Sequence, residues 1–101
     1  MRMTDFDYRQ LDEIIHSRIR LAVMALLARH QVLSFGELKE QTKSTDGNLS
    51  IHLRKLEEVG YLEVQKQFIK RKPQTTYQLS SAGRVAFSAY VSKMQELLGG
   101  E

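Results

Sequence analysis

The sequence has no cysteine, no tryptophan and a single proline among its 101 residues. Without cysteine, the chain cannot form disulfide bonds or cysteine-ligated zinc and iron–sulfur sites, and it cannot sense metals through thiolates. The longest nearly continuous apolar stretch, Leu21 to Ala28, is far shorter than the roughly 18–20 residues that a membrane-spanning helix needs. The N-terminus shows no signal peptide, so we expect a cytoplasmic protein.

The motifs of common enzyme classes are also missing. The sequence contains no Gly-rich phosphate loop, no G-x-S-x-G motif and no cysteine nucleophile. Its histidines, His16, His30 and His52, fall on different predicted elements, and their spacing is not that of a metal site. We therefore expect a protein that is not an enzyme and that needs no metal or cofactor.

Positive charge is concentrated in the second half of the chain. Residues 43–79 carry seven Lys and Arg against four Asp and Glu, whereas residues 1–42 carry six of each and residues 80–101 two of each. The stretch 64–79 has no acidic residue and holds Lys66, Lys70, Arg71 and Lys72. Such a local excess is typical of a surface that binds a polyanion, although a solvated charge run would look the same.

Helical periodicity predicts four helices within residues 7–59. Asp7 and Ser17 are candidate N-caps of the first two. The second helix is apolar nearly all round, which predicts that it is the buried centre of the domain. Ser34 and Glu37 match a capping box at the start of the third, which runs to about Thr42.

The fourth helix is predicted at residues 46–59, with Thr45 or Asp46 as its N-cap and Gly60 at its end. We favour a capping role for Asp46, because phosphates would repel its carboxylate. His52 is expected to be a partly buried packing or phosphate-contacting residue rather than a metal ligand. The apolar positions follow helical spacing, which predicts that one face packs on the core: Leu49, Leu53 and Leu56.

After Gly60 the pattern changes from helical to alternating. Residues 62–66 alternate, residues 74–79 are rich in β-branched and aromatic side chains, and a basic loop at 69–73 joins them, which predicts a β-hairpin. Ser80 or Ser81 can cap a last helix that ends near Leu98. The predicted fold is mainly α with a small hairpin, α-α-α-α-β-β-α. It is a single winged helix-turn-helix domain over residues 1–101, with the helix-turn-helix at 34–59 and the wing at 61–79.

This order of elements suits duplex DNA. A helix fits the major groove, which is about 12 Å wide, and a basic hairpin can contact the flanking backbone or minor groove. Asn and Arg can pair with base edges, Ser and Thr can bind bases or phosphates, and Ile can meet a thymine methyl group. The predicted DNA-binding residues are Thr45, Asn48, Ser50, Ile51, Arg54 and Lys55 on the recognition helix, and Lys66, Lys70, Arg71, Lys72 and Gln74 on the wing.

Two runs of sequence resemble a known group of proteins: T-D-G-N-L-S-I-H-L-R-K-L-E-E-V-G-Y-L-E-V and F-I-K-R-K-P-Q-T-T-Y-Q-L-S-S-A-G-R. They are similar to winged-helix transcriptional regulators of the MarR and ArsR type, especially small stand-alone DNA-binding proteins of bacteria and archaea. The resemblance extends over nearly the whole chain and implies a transcriptional regulator, with room for a small-molecule effector. The chain departs from it in lacking the Asp-x-Arg-type wing signature, the longer MarR dimerisation region and the ArsR cysteine motif.

The last helix has a wider apolar face than one small domain needs to cover. Pairing of helices 7–16 and 81–98 across a two-fold axis would bury that face. It would also place two recognition helices about one DNA turn apart on a palindromic operator. The alternative is that the last helix folds back on its own domain. The predicted dimer residues are Leu11, Phe87, Tyr90, Val91, Met94, Leu97 and Leu98.

Other binding functions stay open at this point. A winged helix can also bind protein or RNA. RNA-binding proteins usually expose aromatic side chains for base stacking, but Phe68 and Tyr77 fall at strand positions that are compatible with the core. An architectural DNA-binding protein would normally have a higher net charge than +3. Neither the operator nor the direction of regulation follows from the sequence.

Overall fold

The computed structural model describes residues 7–99. Over this range the chain forms four α-helices and a three-stranded antiparallel sheet in which β3 lies between β1 and β2. The elements are α1 (Arg18–His30), β1 (Leu33–Ser34), α2 (Phe35–Thr42), α3 (Asp46–Glu58), β2 (Leu62–Ile69), β3 (Lys72–Leu79) and α4 (Ser81–Leu97). The α2–α3 pair followed by the β2–β3 hairpin confirms the predicted winged helix-turn-helix fold.

Short-range hydrogen bonds define where each helix begins. Four N-cap side chains each accept a hydrogen bond from a backbone N–H group in the first helical turn, which satisfies a donor that the helix itself leaves free: Ser17, Ser34, Thr45 and Ser80. The predicted capping box of α2 is present in full. Beyond α3, Gly60 has a φ of 84°, the left-handed conformation predicted for the end of that helix.

The prediction of an α-helix at residues 7–16 is wrong. Within that range only Tyr8–Gln10 are helical, as a single 3₁₀ turn that Asp7 caps. The Asp12 carboxylate then accepts hydrogen bonds from the backbone N–H groups of Ile14 and Ile15 at 2.7 and 3.2 Å. Since these groups bond to a side chain, the segment folds as a turn that leads into α1.

Three hydrogen bonds attach this turn to other parts of the domain: Tyr61 to Asp12, Tyr90 to His16 and Arg20 to the Ile14 carbonyl. The Tyr61 hydroxyl donates to Asp12 at 2.5 Å. This bond, together with burial, raises the pKa of Tyr61 to about 12, so the hydroxyl keeps its proton and remains a donor. Ile15 is fully buried beside these bonds and fixes the turn to the core.

The core is formed by one face of α1 and the elements packed against it. Val23, Met24 and Leu27 of α1 have no exposed surface. Ala25 and Ala28 are exposed, however, so the prediction that α1 is buried nearly all round is wrong. Ala28 borders a depression that Phe87 and Val91 of α4 also line.

The strands of the wing are longer, and the turn between them is tighter, than predicted. β2 and β3 pair continuously from Leu62 opposite Leu79 to Ile69 opposite Lys72. The predicted loop at 69–73 is therefore a two-residue turn, in which Lys70 and Arg71 have φ angles of 52° and 65°. A two-residue hairpin turn with positive φ at both central positions matches the right-handed twist of the strands it joins.

Two contacts hold the base of the wing against the helices. β1, whose two residues are too few to show a periodicity, pairs Leu33 with Tyr77. On the other side, Gly83 in the first turn of α4 lies against the backbone of Tyr61, and a Cβ atom at this position would be 2.2 Å from the Tyr61 carbonyl oxygen. The same oxygen accepts a hydrogen bond from the Ser80 N–H group at 3.0 Å. Only glycine allows α4 to approach the wing this closely.

We predict that Gly83→Ala lowers the free energy of unfolding by about 1–3 kcal/mol, because the added methyl group must push α4 away from β2. Gly47→Ala is the matched control: Gly47 also lies in the first turn of a helix, but no atom stands within 4 Å of its missing Cβ. There the change should be neutral, or stabilising by up to about 1 kcal/mol through helix propensity. Urea unfolding followed by circular dichroism measures both, and equal effects of the two substitutions would contradict the prediction.

Candidate nucleic-acid interface

Burial divides α3 into two sides. Leu49 and Leu56 have no exposed surface and Leu53 is 3% exposed, as the helical spacing predicted. The opposite side faces solvent and carries most of the residues predicted to contact DNA. Thr45, Asn48, Ile51, Arg54 and Lys55 are exposed, and Ser50 is half-buried.

The exposed side of α3 continues into a groove that it shares with the wing. This groove has a volume of about 350 Å³, and Arg54 and Ser50 of α3 face Lys66 and Thr75 of the hairpin across it. Glu57 also lines the groove. The fold thus brings Arg54 and Lys66, from different elements, to one concave surface with groups that can bind both bases and phosphates.

The wing residues predicted to bind DNA do not all lie on the same face. Side chains alternate along a strand, so Lys66 shares its face with Val64, which lines the groove. Lys70 and Arg71 form the turn at the tip. Gln74 pairs with Gln67 and lies on the opposite face, so the structure does not bring it into the groove as predicted.

A second open groove, of about 640 Å³, lies on the other side of α3. The start of α1, the α2–α3 turn and the first turns of α3 line it, and its polar residues are Ser17, Arg18, Thr42, Lys43, Ser44, Thr45, Asn48 and His52. Arg18 and Lys43 were not predicted. Their proximity depends on the packing of α1 against α3, which no spacing in the sequence indicates.

His52 is half-buried, as expected, and its ring is held by Arg20. The Arg20 guanidinium and His52 Nδ1 are 2.8 Å apart. A guanidinium can only donate, so Nδ1 is the acceptor and the proton of the neutral ring is on Nε2. Burial, and secondarily the positive charge of Arg20, lowers the pKa of His52 below its ordinary value of 6.5.

Asp46 does not cap α3, contrary to the role we favoured. Thr45 is the N-cap, and its side chain accepts a hydrogen bond from the Asn48 N–H group at 3.2 Å. Asp46 is the first helical residue and forms a salt bridge of 2.8 Å with Lys39 of α2. The carboxylate therefore sits at the positive end of the helix dipole and beside a cation, which reduces its repulsion of a phosphate.

Most residues predicted for the dimer interface have accessible surface, but one does not. Val91, Leu97 and Leu98 are exposed, whereas Leu11, Phe87 and Met94 are half-buried. Tyr90 is only 4% exposed and belongs to the core of its own domain, where its hydroxyl bonds to His16. Tyr90 therefore has little surface left to contribute to an interface.

Residues 7–99 contain no group of three or more carboxylate and histidine side chains that could hold a metal ion. None of the helices in that range is long and apolar enough to cross a membrane.

A family model described as a winged helix DNA-binding domain matches residues 19–98. An uncharacterized protein, MJ0432 of Methanocaldococcus jannaschii, is 40% identical over 85 residues, which cover 84% of this chain and 92% of the relative. The family model spans α1 to α4, and it confirms the resemblance to winged-helix proteins that the sequence shows.

Solved structures share the fold. A transcriptional regulator homologue from Pyrococcus horikoshii OT3 superimposes with a TM-score of 0.81 at 24% identity, over 87% of each chain. A regulator of the MarR family from Enterococcus faecalis V583 gives 0.74 at 23% identity, over 85% of this chain and 77% of that one. The helix-turn-helix and wing of this chain are thus arranged as in these regulators.

Burial of His52, and secondarily the positive charge of Arg20, makes the stability of the domain depend on pH. The folded pKa of His52 is lowered, so the unfolded chain takes up a proton below about pH 6.5 before the folded one does. The stabilisation is present above that pH and is lost as the pH falls towards the folded pKa. We predict that His52→Asn, which keeps an acceptor near Arg20 without a titrating ring, reduces the loss of stability between about pH 7.5 and about pH 5.5.

Urea midpoints at several pH values in this window measure the effect. His30→Asn is the control, because His30 is exposed in the last turn of α1. If His52→Asn leaves the slope of stability against pH as steep as in the wild type, the titration of His52 does not contribute to that slope.

Proposed function

The chain belongs to the family of winged helix DNA-binding domains, and on that premise we propose that it is a cytoplasmic, dimeric transcriptional regulator that reads a specific sequence in double-stranded DNA. In this proposal α3 is the recognition helix in the major groove. The wing contacts the flanking backbone or minor groove.

The observation that carries the proposal is the groove between α3 and the wing. Arg54 reaches it from the recognition helix and Lys66 from the hairpin. Arginine can form two parallel hydrogen bonds with a guanine edge, whereas lysine acts as a point charge on phosphates. This surface combines an arginine for base edges with a lysine for phosphates, each on a rigid element. Such a surface suits a duplex, in which base edges and phosphates are separated by a fixed distance.

The second groove supports the same orientation of the duplex. Arg18, Lys43 and His52 line it, close to the N-terminus of α3. We propose that a phosphate flanking the major groove binds here. The two grooves lie on either side of α3, so phosphate contacts on both sides would fix the position of the helix while its exposed residues read bases.

The exposed ring of Phe68 favours a second candidate, single-stranded RNA. The sequence left Phe68 as a possible core residue, but it is 77% exposed in the wing. Exposed aromatic rings stack on unpaired bases in many RNA-binding proteins. Competition of a bound duplex by RNA of the same sequence tests this candidate, and preferential release of the duplex would favour it.

Selection of bound sequences from a random duplex pool at about 0.15 M salt tests the main proposal, because that salt suppresses purely electrostatic binding. We expect the wild type to enrich an inverted repeat. Arg54→Ala should lose the preference at one base position in each half-site and cost about 1–3 kcal/mol of affinity. Arg29→Ala is the control. It removes the same charge at the far end of α1 and should change neither the base preference nor the affinity.

The outcomes separate the alternatives. Retention of DNA without a consensus would mean an architectural role and would contradict sequence-specific regulation. An equal loss of affinity of Arg54→Ala for every duplex would mean that Arg54 contacts phosphate and not a base. A wild type that retains no duplex at all would overturn the proposal.

Exposed apolar side chains on α4 support the dimer. Leu97 is 47% exposed and Leu98 78% exposed at the end of this helix. Nearer its middle, Phe87 and Val91 line a shallow depression of about 440 Å³ together with the exposed Ala28 of α1. Isologous packing of this surface on a second copy would remove it from water, and two-fold symmetry would match a palindromic operator.

We predict that Leu97→Glu converts the dimer to a monomer, because it places a carboxylate in the apolar contact. Val85→Glu is the control on the same helix: Val85 is 70% exposed on a different side of α4, so this variant should stay dimeric. Light scattering coupled to size-exclusion chromatography measures both masses. A dimer that survives Leu97→Glu would place the interface on another surface.

A further inference from the structure

An aromatic side chain is exposed on the side of the wing that faces the groove shared with α3. Phe68 is 77% exposed and the neighbouring Ile69 is 46% exposed. Single exposed apolar residues are common on protein surfaces, so exposure alone indicates nothing. The position of Phe68 within the wing, however, indicates a function.

Phe68 lies on the same face of β2 as Lys66, since side chains two residues apart share a face. Lys66 lines the groove opposite Arg54, so Phe68 continues the same surface outward toward the tip. Its cross-strand partner is Pro73. A directly opposed pair shares one face of the sheet, so the rigid proline ring lies beside Phe68.

Phe68 lies between Lys66, on the same face of β2, and the cations of the turn, Lys70 and Arg71. Lys72 pairs with Ile69 and lies on the opposite face, and residues 64–79 contain no acid. An apolar group flanked by positive charges is complementary to a polyanion that also offers an apolar interior. The base stack of DNA between its two phosphate rows is such a target, and the location of Phe68 beside the recognition-helix groove points to DNA and not to a membrane.

The turn next to Phe68 also indicates a contact role. Lys70 and Arg71 occupy positive φ angles of 52° and 65°. Two-residue turns of this kind favour Asn and Gly, because other side chains are strained there. The hairpin thus keeps two cations at positions where their backbone conformation is unfavourable. The short turn also leaves no flexible loop, so the cations and the aromatic ring keep a fixed spacing.

We propose that Phe68 inserts from the minor groove between two base pairs and bends the duplex, while Lys66, Lys70 and Arg71 bind the phosphates on either side. Apolar side chains that enter a base step in this way unstack it in part and kink the duplex by about 20–90° toward the major groove. This proposal rests on the proposed function, since it requires that the wing lie on DNA. It adds DNA bending, and a preference for easily unstacked steps, to sequence recognition by α3.

The test uses the full chain and a duplex from the selection, labelled with a donor and an acceptor fluorophore at its ends. We expect wild-type protein to increase energy transfer, because bending brings the ends together. Phe68→Ala should abolish most of this increase and weaken binding roughly ten-fold, with an unchanged dependence of affinity on salt, since no charge is removed. Phe68→Leu should retain most of the bending, because it keeps an apolar wedge.

Gln67→Ala is the matched control, one residue away on the opposite face of β2, and it should bend DNA like the wild type. Circular dichroism confirms that each variant is folded. Bending by Phe68→Ala equal to that of the wild type would overturn the wedge and leave DNA binding by α3 standing. A wild type that binds no duplex would overturn both proposals.

A lipid membrane is the other partner that combines anionic groups with an apolar interior. Co-sedimentation with phosphatidylserine vesicles tests whether Phe68 binds a membrane instead of DNA. Loss of vesicle binding in Phe68→Ala, with DNA bending unchanged, would assign Phe68 to a membrane surface and overturn the wedge.

Discussion

Burial of one stripe of leucines on α3 determines which side chains of this domain can meet a partner. Leu49, Leu53 and Leu56 are essentially removed from water, so the rotation of the helix about its own axis is fixed. A rotation of one residue, about 100°, would expose part of this stripe and bury polar groups without partners. The Arg20–His52 hydrogen bond restrains the same rotation from the side of α1.

The position of the wing relative to α3 depends on contacts at its base. Leu33 pairs with Tyr77 on one side, and Gly83 contacts the Tyr61 backbone on the other. Because the hairpin is long and continuous, a small change at its base would move the tip by several ångströms. The close approach at Gly83 also couples α4, which carries the proposed dimer surface, to the wing. The spacing of the two DNA-contacting elements in a dimer would thus depend on one glycine.

Most features that depend on neighbouring residues could be predicted from the sequence, and features that depend on distant ones could not. The caps at Ser17 and Ser34 involve residues within one helical turn, so local spacing reveals them. Asp12 accepts from Tyr61, 49 residues away, and no periodicity predicts that pairing. The same limit applies to the candidate site. The exposed face of α3 follows from its leucines, whereas the second groove with Arg18 depends on how α1 packs.

The places where local rules are broken lie close to the proposed DNA surface. Among residues 7–99, the residues other than glycine with positive φ are Gln31, Lys43, Lys70 and Arg71. Three of these four are cations, although asparagine or glycine would relieve the backbone at each position. Lys43 lines the groove beside the start of α3, and the other two form the tip of the wing. Elsewhere, the caps and the core follow the local preferences. Three of the four unfavourable backbone conformations therefore coincide with cations of the proposed DNA surface.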